Sequence, residues 1–239
     1  MSRYLLPFFL LAALLYGGAE PRTERAKITR VTGQTALIDR GGIPKGISGI
    51  VLHHYDQTHA AIVASAVVTH SGPDTSELKL LPYQSLHQPN LPTVKTPPQQ
   101  GDTVILGYLY DRVLPIVPNQ QSLEEAHRRF PKLRIIHPDL VAAELAKEKE
   151  PLPHRPILQR TCEKFHLGLV MIMFSDGTDF LDCVSWQKVG HADVKAVDPK
   201  DFKEPFYNRF KSIPTAFYDF GEYHIADYDR YYHALEKEE

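Results

Sequence analysis

The sequence predicts an α+β fold: a small N-terminal β-barrel, then a compact α/β sandwich with a mixed sheet, closed by an aromatic C-terminal wrap. Three observations predict it. Short β-branched runs separated by turn residues fill the first third of the chain. Strand and helix signals alternate after residue 111. Eleven aromatic residues crowd between Phe202 and Tyr232, where a solvated tail would be poor in them.

The first 19 residues read as a signal peptide. Arg3 gives a positive start, an apolar run follows over 5–16, and Gly17-Gly18-Ala19 supplies small residues before Glu20. A retained membrane anchor is the alternative. The run is shorter than the ~20 residues a spanning helix needs, so no membrane span is expected in the mature chain. Residues 20–110 are assigned to the barrel. Runs over 27–32 and 34–39 are broken by Gly33, and glycines 41, 42, 46 and 49 punctuate a turn region. Longer strands follow over 48–55 and 60–70, the second placing Ile62, Ala64, Ala66 and Val68 on one face. Residues 77–80 alternate polar and apolar. A Pro-rich loop covers 82–101, and a strand over 103–110 closes the barrel across it.

Residues 111–190 form the α/β unit. A strand over 113–117 leads to Ser122-Leu123-Glu124-Glu125, which fits a capping box opening a helix. A strand over 133–136 precedes a helix with Asp139 as its N-cap, turning Leu140, Val141 and Leu145 inward. A third helix spans about 157–166. The apolar run 169–174 is a central strand, and 180–189 returns as its hairpin partner after Ser175-Asp176-Gly177. Residues 191–239 are the aromatic segment packed on the body, ending in a helix over 227–235.

Composition excludes several functions. Lys and Arg total 27 against 29 Asp and Glu, a formal charge of −2, which argues against nucleic acid as partner. No GxSxG occurs, and Ser185-x-x-Lys188 lies in a strand rather than at a helix start. Asp176/Asp179 and Asp227/Asp229 read as turn or helix-surface carboxylates. His53, His54, His59 and His70 lack metal-ligand spacing, and His53 and His54 point to opposite strand faces. No catalytic residue, cofactor or metal site is therefore assigned, and the chain reads as a non-enzyme. Outside the cytosol Cys162 and Cys183 form either a disulfide or two buried thiols. The terminal tyrosines Tyr228, Tyr231 and Tyr232 either pack on the body or present rings to a partner.

Several segments together carry a resemblance. They are the run 101–112 through Pro118-Asn119; His137-Pro138-Asp139-Leu140 with Ala142-Ala143; Cys162 ahead of Leu167-Gly168-Leu169; Phe180-Leu181-Asp182-Cys183; and 217–221 with 227–232. In their order they resemble the N-terminal domain family of bacterial, Helicobacter-type plasminogen-binding surface proteins. The resemblance implies an exported protein, in the periplasm or at the cell surface, that binds host plasminogen and is not an enzyme. Kringles of plasminogen read a Lys ammonium beside a carboxylate, best offered by a C-terminal Lys. This chain ends Glu236-Lys237-Glu238-Glu239, so Lys237 is the corresponding candidate. The rival reading is a periplasmic assembly module of an envelope machine, with other envelope proteins as partners.

Overall fold

A computed structural model describes residues 22–83, 94–214 and 223–237. The signal-peptide reading of 1–19, half of the Pro-rich loop (84–93) and the 217–221 motif lie outside the described residues. Six strands make a closed, all-antiparallel barrel: β1 (Glu24–Thr32), β2 (Thr35–Ile38), β3 (Ser48–His54), β4 (Ala60–Ser71), β5 (Ser76–Leu81) and β6 (Thr103–Leu106). Their order around the barrel is β1-β2-β5-β4-β3-β6. Closure comes from β6, which lies between β1 and β3. Period-two alternation decides what fills the interior: Ile28, Ala36, Ile38, Val51, Ala64, Ala66, Val68, Leu78, Val104 and Leu106 are all buried. Small and large residues mix along these strands, as a narrow barrel requires. Gly49 sits where β3 crosses β6. A Cβ there would lie 2.2 Å from the Ile105 carbonyl oxygen, so the close approach excludes any side chain.

The strand expected over 103–110 stops at Leu106. Gly107 and Leu109 both have positive φ, 67° and 64°, and turn the chain out of the barrel. It continues as β7 (Arg112–Ile116), the strand next to one edge of a five-stranded mixed sheet. β8 (Arg134–Ile135) and β9 (Leu169–Met173) flank β7 in parallel, while β10 (Thr178–Asp182) and β11 (Lys188–Ala192) extend it antiparallel. The hairpin partner expected over 180–189 is thus two strands. Asp182 ends the first by accepting from the backbone N–H groups of Val184 and Ser185, at 2.8 and 2.7 Å.

Among the described residues, four helices cover the sheet: α1 (Gln120–Arg129), α2 (Asp139–Glu148), α3 (Arg155–Phe165) and α4 (Tyr228–Glu236). Asn119, not Ser122, caps α1 by accepting from the Ser122 N–H; the Ser122 hydroxyl instead bonds the Val197 backbone. Asp139 is the first residue of α2 rather than its cap, and its carboxylate accepts from the Arg209 backbone and guanidinium. Leu140 is 38% exposed, and Ala142 takes the inward position expected of it.

The sheet sorts its side chains by parity. Val113, Leu169, Met171, Met173 and Phe180 join α1 and the barrel interior in one apolar cluster. Leu114, Ile116, Val170, Ile172 and Leu181 join α2, α3 and α4 in the other. Barrel and sheet therefore share a core.

Candidate functional site

Two buried carboxylates sit on β10, three residues apart, and they point to different places. Asp182 is fully buried at the junction of barrel and sheet. Its Oδ2 accepts from the Ser48 N–H at 3.0 Å, the Ser48 hydroxyl at 2.5 Å and the Tyr110 hydroxyl at 2.6 Å. With the two N–H groups on Oδ1, five donors converge on one carboxylate. Burial, and then the neighbouring Asp182 charge, pushes the Tyr110 hydroxyl far above its ordinary range, so it stays a donor. The arrangement is closed to solvent and latches the start of β3 to the end of β10.

Asp179 points to the other side, where α4 crosses the sheet. Sequence reasoning treats it as a turn carboxylate, but its side chain is only 3% exposed. The Lys188 ammonium lies 2.6 Å from Oδ2 and His191 Nδ1 lies 2.5 Å from Oδ1. From α4 come His233 and Glu236, with Nδ1 and Oε2 3.2 Å apart. The His233 ring stacks on Phe174 at 3.9 Å between centroids, which fixes its plane. Ligand atoms of Asp179, His233 and Glu236 all lie within 4.8 Å of one another. Burial first, and then the Asp179 charge, pushes the Glu236 carboxyl up to about 7, against the opposing pull of His233 and Lys188. Glu236 Oε1 is buried without a hydrogen-bond partner.

The sequence-derived candidates fall around this helix. Asp227 is its N-cap, accepting from the Arg230 N–H at 2.9 Å. The tyrosines, weighed as a docking face, serve chiefly as packing. Tyr228 and Tyr232 are 3% and 0% exposed, because the apolar face of α4 drives them into the sheet-side cluster. Tyr232 donates to the Pro205 carbonyl, and Tyr231, half-buried, donates to that of Pro153, each at 2.7 Å. Trp186 donates to the Leu235 carbonyl at 3.0 Å and ties down the far end of the helix. Lys237 follows as the C-cap and is exposed. Cys162 on α3 and Cys183 after β10 are joined as a disulfide. Of the four histidines in 53–70, His53 is largely buried, with Nδ1 2.7 Å from an Asp102 oxygen; His59 is exposed beside Asp56. None of these four joins the α4 cluster. His191 and His233, which do, carry no local motif, and nothing in the β10 sequence Thr-Asp-Phe-Leu-Asp sets Asp179 apart.

A family model described as plasminogen-binding protein pgbA N-terminal matches residues 24–235. No curated protein matches the chain.

Proposed function

The chain belongs to the plasminogen-binding protein N-terminal family, and from that membership we propose that it is an exported, non-enzymatic binding protein whose partner is plasminogen. The observation that carries this reading is the span of the match, which takes in both the barrel and the sheet with its four helices. The buried latch at Asp182 fits the same reading: its polar groups are spent on holding the fold and are closed to any substrate. No helix among the described residues is long and apolar enough to cross a membrane.

Lys237 is the proposed contact. It stands exposed at the end of α4, held out by a helix whose inner face is anchored through Trp186 and Tyr232. Its ammonium, with the adjoining Glu238 and Glu239, offers the charge pair that a kringle pocket reads. The matched segment stops at residue 235, so the family reading and the Lys237 reading can be separated by experiment.

The test is capture of the chain on immobilised plasminogen, with and without a lysine analogue. Saturable binding abolished by the analogue is expected. Lys237→Gln should then remove most of it. Binding that ignores the analogue would overturn the kringle mechanism. Analogue-sensitive binding that survives Lys237→Gln would move the contact to another surface lysine and leave the family reading intact.

A further inference from the structure

We propose that Asp179, His233 and Glu236 form a binding site for a divalent transition-metal ion of the zinc type, tying α4 to the sheet. Three independent features carry it. First, the donor atoms are already gathered, all within 4.8 Å of one another. Ligands at 2.0–2.1 Å from a tetrahedral ion are separated by roughly 3.3 Å. Closing the widest of these gaps takes a side-chain adjustment of about 1.5 Å.

Second, Glu236 is a buried acceptor short of a donor. Its side chain is 10% exposed, Oε2 faces His233, and Oε1 has no hydrogen-bond partner. A buried carboxylate oxygen of this kind normally finds a donor or a cation. Third, the supports expected around a metal site are present. His191 holds the Asp179 carboxylate at 2.5 Å, as a partner outside the ligands commonly does, and Phe174 fixes the His233 ring.

The donor set selects the class of ion. One imidazole and two carboxylates, with no thiolate, suit zinc and its first-row neighbours better than copper(I). They supply too few oxygens for calcium, which takes about 6–8. The Lys188 ammonium is the competing charge. Lys188 is half exposed, so its head can swing into water while Asp179 keeps His191. The site spans β10 and α4, residues far apart in sequence. Occupancy would therefore hold the C-terminal helix down and add to the stability of the folded chain.

Chelator-stripped protein titrated with zinc chloride, by calorimetry and by thermal melting, tests the proposal. One equivalent per chain and a raised melting temperature are expected. Glu236→Gln and His233→Ala should each weaken binding by at least about tenfold. Lys188→Met should tighten it by removing the competing cation. Cobalt(II) gives a second readout that does not depend on stability: an intense visible absorption typical of low coordination number, lost in Glu236→Gln. Absence of saturable zinc uptake, or uptake equal in wild type and Glu236→Gln, overturns the site. Glu236→Gln is nearly isosteric and decides the matter even where His233→Ala fails to fold.

Discussion

Asp182 and Glu236 are both buried carboxylates, and they are opposites. Asp182 gathers five donors and has no spare demand. Glu236 faces a histidine with one oxygen and nothing with the other. The contrast extends to their surroundings. Among the described residues, the buried side-chain polar atoms without partners are Tyr228 OH, Asp229 Oδ1 and Glu236 Oε1, and all three are on α4. The barrel and its junction with the sheet are satisfied structure. The outer helix carries polar groups that packing alone does not explain, and native proteins keep such groups few. The difference teaches where to look for binding: at the helix that is left incomplete, not at the junction that is complete.

The sharpest way to break this comparison is at Asp182. Asp182→Ala strands the Ser48, Tyr110, Val184 and Ser185 donors in a dry interior. A loss of about 3–5 kcal/mol is expected in denaturant unfolding, the range for removing one partner of a buried charged network. A loss below 1 kcal/mol (about the value of one ordinary hydrogen bond) would mean that the junction is not a latch. The disulfide comes next. Cys162 and Cys183 are separated by 21 residues and join α3 to the end of β10, close to Asp182 in the chain. Reduction, or the double change to Ala, should cost about 2–4 kcal/mol, read as a lower melting temperature under dithiothreitol.

Glu236 should behave in the reverse sense. In chelator at pH 8, Glu236→Gln removes a buried charge that lacks one partner, and a gain of about 1–2 kcal/mol is expected. Destabilisation instead would place Glu236 with Asp182, as a group the fold depends on. The opposite signs of two carboxylate substitutions are the direct measure of the contrast.

How much of this was legible in the sequence follows the range of the interactions. The barrel strands were readable because Ala64, Ala66 and Val68 alternate along one strand, and such patterns are local. α4 was readable from the run over 227–235, although Asp227 is its N-cap and not a residue of the helix. The strand after Thr103 was overrun by four residues, because its apolar composition continues past the point where Gly107 and Leu109 turn the backbone. Ser122 was misread as a cap since its real partner is Val197, far along the chain. The family was readable from motif order, and the family model spans the chain nearly end to end. The α4 cluster was invisible. Asp179 looked like a turn acid, and His191, His233 and Glu236 share no spacing with it. Only the sheet register and the docking of α4 bring them together.

The smallest effect belongs to the surface of the same sheet-side layer, at the start of α2. Burial works against ionisation of Asp139, but the Arg209 backbone N–H and guanidinium and the nearby His137 outweigh it and hold the carboxyl below its ordinary range. A carboxyl lowered in the folded state contributes stability above its unfolded value of about 3.9 and loses it as pH falls through the folded value. Arg209→Ala should therefore cost less than about 1 kcal/mol at neutral pH, since the guanidinium is largely exposed and screened by solvent. The difference between wild type and variant should shrink in acid, as Asp139 becomes protonated in both. A stability gap that stays constant down to pH 2 would show that Arg209 acts through packing, not charge. The pH series thus separates a surface pair, which fades with protonation and salt, from the Asp182 latch, whose donors are neutral and whose cost of removal should change little with added salt.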